Sequence, residues 1–301
     1  MRFLVTGISG YVGHHLAAAL SGDGHDVRGL ARHPERVRGP WPTHAVDLSA
    51  PTPGALAEAL GGVDVAYFLV HSMEGTLDYA ATELDAARRF AAAAADSGVR
   101  RIVYMSVLAP AAGRPSGHVR SRLAVEQALA SSGIPVVVLR ASIVIGTGSR
   151  SFRFLLRLVE RLPVLLLPPW RDHRTRPIDE RDLIRQLVDA ATAPTDRPLA
   201  VFDSVGPDEV TYRELIEAIR DHLMVGRPTV PLPVALTSVA APVAAAVAGE
   251  DLGLVAPLMQ SLGSDLLPRS AADQGVALSP PRHHLDAAIE HALRGDDEIG
   301  D

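Results

Sequence analysis

The sequence has no cysteine, no lysine and no asparagine among its 301 residues. The lack of cysteine excludes disulfides, thiolate nucleophiles and cysteine-based zinc or iron–sulfur sites. The lack of lysine excludes Schiff-base chemistry, a P-loop lysine and any catalytic tyrosine–lysine pair. The lack of asparagine excludes N-glycosylation. Histidine is present, but the pairs His14-His15 and His283-His284 put adjacent residues on different helix faces, so we expect no metal site.

A strong excess of one charge is also missing. The chain has 29 basic and 35 acidic side chains, a net charge of −6 and an isoelectric point near 6.0. Nucleic-acid-binding proteins usually have a basic excess, so we expect no nucleic-acid partner. With 47% hydrophobic and 21% charged residues, the composition is typical of an ordinary soluble globule.

Long hydrophobic runs are absent too. The most apolar segment, residues 234–248, is interrupted by Pro242. It falls short of the ~20 residues that a membrane-spanning helix needs, so we expect a helix of the globular fold or of an apolar pocket instead. Residues 1–10 lack the apolar core and cleavage site of a secretory signal. The sequence therefore predicts no membrane span and a cytoplasmic location.

Short β-rich runs alternate with alanine-rich stretches in the first two-thirds of the chain. The predicted strands are residues 2–6, 26–31, 63–70, 101–106 and 135–140, and the predicted helices are 12–21, 53–60, 78–97 and 118–131. The strands are rich in valine, isoleucine and leucine without strict alternation, as expected when helices cover both faces of a parallel sheet. This pattern predicts an α/β fold with a doubly wound parallel sheet over residues 1–150. Residues 151–301 are predicted to form a smaller substrate-binding lobe, interleaved with the core through a late strand near 199–204.

A glycine-rich turn follows the first predicted strand and opens the first predicted helix. It has the pattern TGxxGxxG and consists of Thr6, Gly7, Ile8, Ser9, Gly10, Tyr11, Val12 and Gly13. The glycines permit a tight turn, the approach of a diphosphate to the backbone and close helix–strand packing. The helix N-terminus then presents unpaired N–H groups and a partial positive charge to the phosphates. The turn predicts a dinucleotide-binding domain of the Rossmann type.

The end of the second predicted strand indicates which dinucleotide is bound. A site for NAD usually has Asp or Glu there to hold the ribose 2′-OH, whereas an Arg accommodates the 2′-phosphate of NADP. The strand ends at Leu30 and Ala31, with Arg32 at the deciding position. An Arg fork matches a phosphate in charge and geometry, so NADP is predicted over NAD. Asp47 and Leu48, after the third strand region, are predicted to meet the adenine edge.

With this turn in place, the chain resembles the short-chain dehydrogenase/reductase superfamily in its atypical, NmrA-like or extended branch. Besides the turn, the resemblance is carried by segments in the family's order, residues 62–67, 98–104, 139–146, 176–182 and 206–212. Residues 69–73, Leu-Val-His-Ser-Met, look like the atypical subgroup in which a His-Ser pair lies near the nicotinamide. The resemblance implies that residues bordering the cofactor are Val70, His71, Ala141, Ser142 and Ile143.

The catalytic positions are where this sequence departs from the family. The family's usual set is a tyrosine, a lysine four residues later on a helix, and a serine from the end of strand five. Ser106 matches the serine, and the resemblance implies that it orients the substrate oxygen. His118 and Arg122 stand where the tyrosine and the lysine would be. Residues at this spacing share one helix face, so both could point into the cleft.

The two replacements could still perform related tasks. Arg122 could hold the nicotinamide ribose, because it is a permanent cation with several donors. An imidazole has an unperturbed pKa of about 6.5, so His118 is predicted to donate a proton, with His71 as a second candidate acid. The alternative is that His118 is a helix-surface or cofactor-adjacent residue in a protein that binds NADP without reducing anything.

An arginine stripe follows the glycine-rich part of the chain. Arg150, Arg153, Arg157 and Arg161 share one face of a predicted amphipathic helix. The stripe could steer an anionic substrate, but such a stripe is more often a solvated helix face, and we favour that interpretation.

Together these features favour an NADP-dependent oxidoreductase that transfers hydride to or from a small, apolar carbonyl or alkene substrate. One alternative is a non-catalytic redox sensor or scaffold protein that binds NADP, suggested by the missing tyrosine and lysine. Another is an enzyme similar to nucleotide-sugar epimerases and dehydratases. The expected partner is a small-molecule substrate, with the chain acting as a monomer or a homodimer.

Overall fold

The computed structural model describes residues 1–70, 79–110, 115–232, 237–249, 255–256, 259, 262–270 and 273–295. Its first half repeats the alternation of strands and helices that the sequence predicts. These elements are β1 (Arg2–Thr6), α1 (Tyr11–Gly22), β2 (Asp26–Ala31), β3 (Thr43–Ala45), α2 (Ala55–Leu60), β4 (Val65–Phe68), α3 (Tyr79–Asp96), β5 (Arg101–Val107), α4 (Gly117–Ala130) and β6 (Val136–Ala141).

The second half contains mostly helices and very short strands. Its elements are β7 (Val144–Ile145), α5 (Arg150–Arg161), β8 (Leu165–Leu167), β9 (Arg174–Thr175), β10 (Ile178–Asp179), α6 (Glu180–Ala190), β11 (Leu199–Ser204), β12 (Val210–Thr211), α7 (Tyr212–His222), β13 (Thr229–Pro231), α8 (Thr237–Ala248) and α9 (Leu285–Arg294). The strand predicted near 199–204 is β11.

A parallel sheet forms the centre of the molecule. Among the described residues it has seven strands in the order β11-β6-β5-β4-β1-β2-β3. The direction of winding reverses between β1 and β4, where Phe3 pairs with Val65 and Val5 with Tyr67. In open α/β sheets, ligands bind outside the carboxyl ends of the strands at such a reversal. The predicted doubly wound α/β fold is confirmed, and the glycine-rich turn lies at this point.

Two apolar layers cover the sheet, one on each face. On one face, side chains of α2, α3 and α4 pack against alternate residues of the strands, with Phe68, Phe90 and Val138 fully buried. On the other face, α1 and α6 cover the remaining strand residues, with Val5 of β1 and Leu187 of α6 fully buried. Each fully buried side chain of this size contributes about 1.5–3 kcal/mol. The all-apolar strands predicted from the sequence therefore follow from burial on both faces.

A third apolar cluster lies in the second half of the chain. Its buried members from α5, α7 and α9 include Phe152, Tyr212, Leu215 and Ile289. Ala245 and Ala248 of α8, which lie within the segment that the sequence marks as most apolar, also belong to this cluster. In the part of the chain described, no helix has the length and hydropathy that crossing a membrane would require.

Two arginines of the stripe on α5 have a structural task. Arg157 donates from Nη1 to the carbonyl oxygen of Ala248 at 3.0 Å, and Arg161 donates from Nη1 to that of Val247 at 2.8 Å. Both carbonyls belong to the last turn of α8, where a helix has unpaired acceptors and a partial negative charge. Arg161 is exposed, as a solvated face implies, whereas Arg157 is half-buried. Both residues also bond the C-terminal end of a neighbouring helix.

Candidate functional site

The turn between β1 and α1 has the backbone geometry that a phosphate-binding loop requires. Gly7 has a φ of +68°, and Gly10 donates its N–H to the carbonyl oxygen of Gly7 at 2.9 Å. A Cβ on Gly13 would overlap that same carbonyl oxygen. The first glycine therefore supplies the left-handed conformation, and the last one allows α1 to pack directly on the turn.

Neighbouring strands hold the turn in place. Thr6 accepts a hydrogen bond at Oγ1 from the N–H of Leu69 at 2.9 Å, and Gly7 donates its N–H to Leu30 O at 3.0 Å. Within the described part of the chain, no side chain caps α1 at Gly10, and its first turn contains no acidic residue. The first N–H groups of α1 thus face outward, ready for an anion. Ser9 and Gly10 are exposed beside them, and Val12 is half-buried.

The residues predicted to select the cofactor lie at the ends of β2 and β3. Arg32 is exposed directly after β2. Asp47 is exposed as well, and hydrogen bonds from Ser49, together with the charge of Arg32, lower the pKa of its carboxyl. Leu48 is 4% exposed, and its side chain packs in the core. Both residues stay predicted contacts of the adenine edge, Asp47 with an exposed side chain and Leu48 with a buried one.

The residues predicted to border the nicotinamide lie at the carboxyl ends of β4 and β6. Val70 is half-buried after β4, and Ala141 is buried at the end of β6. Ser142 donates its hydroxyl to the carbonyl oxygen of Arg176, and Ile143 accepts the N–H of Ile178 at 2.9 Å. These bonds fix the strand end against β10. His71, the second candidate acid, lies outside the described residues.

Ser106 is committed to a buried carboxylate. It is 3% exposed, and its hydroxyl donates to Glu126 Oε1 on α4 at 2.7 Å. Glu126 also accepts two hydrogen bonds from Arg140 of β6, at 3.0 Å from Nε and 2.7 Å from Nη2. A serine has a single hydroxyl hydrogen. In this arrangement Ser106 must rotate away from Glu126 before it can donate to a substrate oxygen.

Arg122 is likewise bonded inside the protein. Its Nη1 lies 2.6 Å from Glu83 Oε1 on α3 and 3.2 Å from the hydroxyl of Tyr104. Burial raises the pKa of Glu83 to about 7 and lowers the pKa of Arg122 to about 9. The short contact keeps the proton on the guanidinium, because it favours the charged pair. The predicted task of Arg122, holding the nicotinamide ribose, would require it to leave Glu83.

His118 lies one turn before Arg122 on the same helix, and both are buried. The helix begins there because Ser116 accepts the N–H of Val119 at 3.3 Å as its N-cap. Burial lowers the pKa of His118. The imidazole is therefore harder to protonate than an exposed one, and its capacity as an acid grows as the pH falls.

The sequence interpretation missed Glu83 and Glu126. Glu126 follows Arg122 by four residues on one helix, a spacing that could have indicated its place on the same face. Glu83 is joined to Arg122 across 39 positions of sequence, and no local pattern announces that contact. Two of the predicted catalytic residues, Ser106 and Arg122, thus bond buried carboxylates.

Comparisons with known proteins agree with this geometry. A family model described as NAD(P)H-binding matches residues 7–145, which include the glycine-rich turn. A reductase of Streptomyces griseus that acts on a (4-alkanoyl-5-oxo-2,5-dihydrofuran-3-yl)methyl phosphate is 31% identical over 234 residues, 75% of this chain and 74% of that protein. A ceramide reductase of Caulobacter vibrioides is 28% identical over 231 residues, 74% of this chain and 71% of that protein.

An uncharacterised protein of Mycobacterium tuberculosis is 30% identical over 236 residues, and that match spans 77% of this chain but 24% of the mycobacterial protein. Among solved structures, a short-chain dehydrogenase/reductase superfamily protein from Agrobacterium tumefaciens with bound NAD has a TM-score of 0.72 at 18% identity, covering 99% of this chain and 98% of that one. WbmG of Bordetella bronchiseptica, in complex with NAD and UDP, has a TM-score of 0.72 at 19% identity, covering 99% of this chain and 94% of that one.

Proposed function

This chain belongs to the atypical or extended branch of the short-chain dehydrogenase/reductase superfamily, and we propose that it is an NADP-dependent reductase of a small, apolar carbonyl or alkene substrate. The observation that carries the proposal is the turn from Thr6 to Gly13. Its positive φ at Gly7, the close approach of Gly13 and the uncapped start of α1 together suit a dinucleotide diphosphate. Two of its relatives bear the names of reductases, which supports the direction of the reaction.

Selection of NADP is assigned to Arg32. Its exposed guanidinium follows β2, on the side of the turn where the adenine ribose of a Rossmann-bound dinucleotide lies. A guanidinium can form a bidentate, charge-assisted pair with a 2′-phosphate, which NAD lacks. Asp47, also exposed nearby, is assigned to the adenine edge.

The chain's own residues must hold and protonate the substrate. When bound, the reduced nicotinamide supplies a hydride from its C4 atom. We assign the proton that the substrate oxygen then requires to His118, with His71 as the second candidate. Ser106 is assigned to orient that oxygen, after its hydroxyl rotates away from Glu126. Because burial lowers the pKa of His118, the reductase rate should rise as the pH falls.

The test is NADPH oxidation, followed at 340 nm, with a panel of apolar aldehydes, ketones and enones. The wild type should turn over at least one class, with a rate that increases toward acidic pH. His118→Gln should lower kcat by about 10²-fold or more and remove the pH dependence, with little change in NADPH affinity. His222→Gln is the matched control, since His222 bonds the carbonyl of Ala218 at the end of α7. An unchanged rate in His118→Gln excludes that residue as the acid.

A second candidate function is supported by one observation. Both Ser106 and Arg122 are bonded to buried carboxylates, which suits a protein that binds NADP and reports its redox state to a partner. Tight NADPH binding without turnover of any substrate in the panel, together with co-purification of a partner, would favour this sensor. The likeness to structures of UDP-sugar 4-epimerases concerns the fold alone, because those proteins are only 14–17% identical to this chain.

A further inference from the structure

Behind the glycine-rich turn, titratable side chains from three helices meet at the loop of residues 146–148. Tyr11 and His15 come from α1, Glu180 is the first residue of α6, and His291 comes from the last turn of α9. Glu180 Oε1 lies 3.1 Å from His291 Nε2. The C-terminal helix is thereby joined to the surroundings of the turn.

Two buried polar atoms at this place are unpaired. Within the described part of the chain, neither the hydroxyl of Tyr11 nor the second carboxyl oxygen of Glu180 has a hydrogen-bond partner. Both atoms lie against Gly146, since a Cβ added there would overlap each of them. A carboxyl oxygen thus lies beside the side chain of Tyr11, the first residue of the helix that the turn opens.

The positive charges around Glu180 only partly compensate the negative charge of its carboxylate. Burial raises the pKa of Glu180, while His291 and Arg181 act to lower it. The guanidinium of Arg181 is itself bonded to both carboxylate oxygens of Asp179. Burial and the neighbouring His14 and His291 lower the pKa of His15, so this second imidazole is less able to add positive charge. His291 is therefore the principal partner of the Glu180 carboxylate.

We propose that Glu180 restrains diphosphate binding at the turn and that His291, on α9, relieves this restraint. The proposal rests on the proposed function, because it needs a diphosphate at the first N–H groups of α1. The Glu180 carboxylate lies beside the Tyr11 side chain, and it is screened less than an exposed charge because it is largely buried, so it should repel a dianionic diphosphate held at the start of α1. An imidazolium beside the carboxylate offsets this repulsion. Glu180 and His291 are thus positioning residues that set the affinity of the turn without touching the reacting atoms.

The experiment compares two probes on the full chain by isothermal titration. ADP-ribose contains the diphosphate, and adenosine 2′-monophosphate lacks it. Glu180→Gln should bind ADP-ribose about three- to tenfold more tightly than wild type and leave the affinity for adenosine 2′-monophosphate unchanged. His291→Gln as a single variant should weaken ADP-ribose binding by a similar factor. The same substitution should not change the affinity for ADP-ribose in a protein that already carries Glu180→Gln.

The sign of the change separates this restraint from a purely structural contact. Loss of a structural contact weakens binding, so weaker or equal ADP-ribose binding by Glu180→Gln overturns the inference. Glu160→Gln, an exposed residue of α5, is the matched control for charge. If ADP-ribose does not bind the wild type at all, the proposed function fails with it, whereas equal binding by wild type and Glu180→Gln defeats this inference alone.

A measurement on the unaltered protein guards against a variant that fails to fold. Because burial raises the pKa of Glu180, acidification moves this carboxyl toward its neutral form and weakens the restraint. The affinity of wild type for ADP-ribose should therefore rise as the pH is lowered from about 8 to about 5.5, a range in which the diphosphate itself does not titrate. An affinity that stays constant or falls over this range contradicts the proposal.

Discussion

The Nη1 atom of Arg122 lies 2.6 Å from Oε1 of Glu83, and the two side chains are only 4% and 3% exposed. The pair joins α4 to α3, with the hydroxyl of Tyr104 as a third member. A buried ion pair contributes little net stability compared with apolar residues of the same volume, but removing one partner leaves the other charge uncompensated. The pair therefore fixes the position of Arg122 more than it strengthens the fold.

Removing one partner of this pair should destabilise the fold strongly, whereas replacing both partners by apolar residues should not. Glu83→Ala is expected to lower the free energy of unfolding by about 3–5 kcal/mol, because Arg122 then remains buried without a partner. The double variant Glu83→Leu with Arg122→Met should lose much less. Urea unfolding measures both. Arg88→Ala is the control on the same helix, since the Arg88–Asp85 pair is exposed and should cost no more than about 1 kcal/mol. Equal losses in Glu83→Ala and Arg88→Ala would contradict the account.

Gly13 should not accept a side chain. The new Cβ of Gly13→Ala would overlap the carbonyl oxygen of Gly7, so the turn must shift and cofactor binding should fall by about 10²-fold or more. Gly22→Ala is the control, because Gly22 belongs to the same helix and a Cβ there meets nothing within 4 Å. That variant should bind the cofactor normally and keep or gain stability. Titration with NADPH decides between the two positions, and normal binding by Gly13→Ala would show that the cofactor lies elsewhere.

Arg32 should determine the preference between the two dinucleotides. Arg32→Gln is expected to weaken NADP binding by about 10- to 100-fold, since a bidentate phosphate contact is lost, and to leave NAD binding nearly unchanged. Arg28→Gln is the control, because Arg28 lies on the same strand and bonds the carbonyl of Gly61 at 3.1 Å. Affinities for both dinucleotides are measured for each variant. Parallel losses of NADP and NAD affinity in Arg32→Gln would remove Arg32 from the 2′-phosphate site.

Asp182 should make the fold sensitive to acid. Although burial opposes it, hydrogen bonds from the amides of His283 and Arg282 lower the pKa of its carboxyl. A folded-state pKa below the unfolded value of about 3.9 stabilises the fold above that pH, and this stability is lost as the pH falls through the folded-state value. Asp182→Asn should therefore cost about 1–3 kcal/mol at neutral pH and progressively less in acid.

The measurement for Asp182 is urea unfolding from neutral to acidic pH. Asp221→Asn is the control, since Asp221 is exposed at the end of α7. A difference between Asp182→Asn and wild type that does not shrink toward low pH would show that hydrogen bonding, and not the charge, accounts for the loss.

The strands and helices of the first half could be predicted because local and global requirements coincide there. An apolar run such as β6 is buried on both faces, and Gly98 and Gly133 have positive φ values just after α3 and α4. For β3, the sequence indicated only a strand region before Asp47 without bounds, since the three residues of this strand are partly exposed at the sheet edge. The two-residue strands of the second half depend on partners distant in sequence, so no local pattern marks them.

In the candidate site, too, some features could be predicted from the sequence and others could not. The turn at Gly7 could be recognised because a positive φ and close approach require glycine whatever the rest of the chain does. The partners of Ser106 and Arg122 could not, because they come from other elements of the fold. Sequence spacing placed His118 and Arg122 on one face correctly, but it carried no information on what that face meets.

Binding of a pyridine nucleotide by the turn from Gly7 to Gly13 should be visible in the melting temperature of the unaltered protein with and without NADPH. Ligand at about 100 times its Kd adds roughly 2.7 kcal/mol of stability, which should raise the melting temperature by several degrees. We expect this rise with NADPH and NADP, and a smaller rise with NAD. A melting temperature that none of these nucleotides changes at millimolar concentration would contradict it.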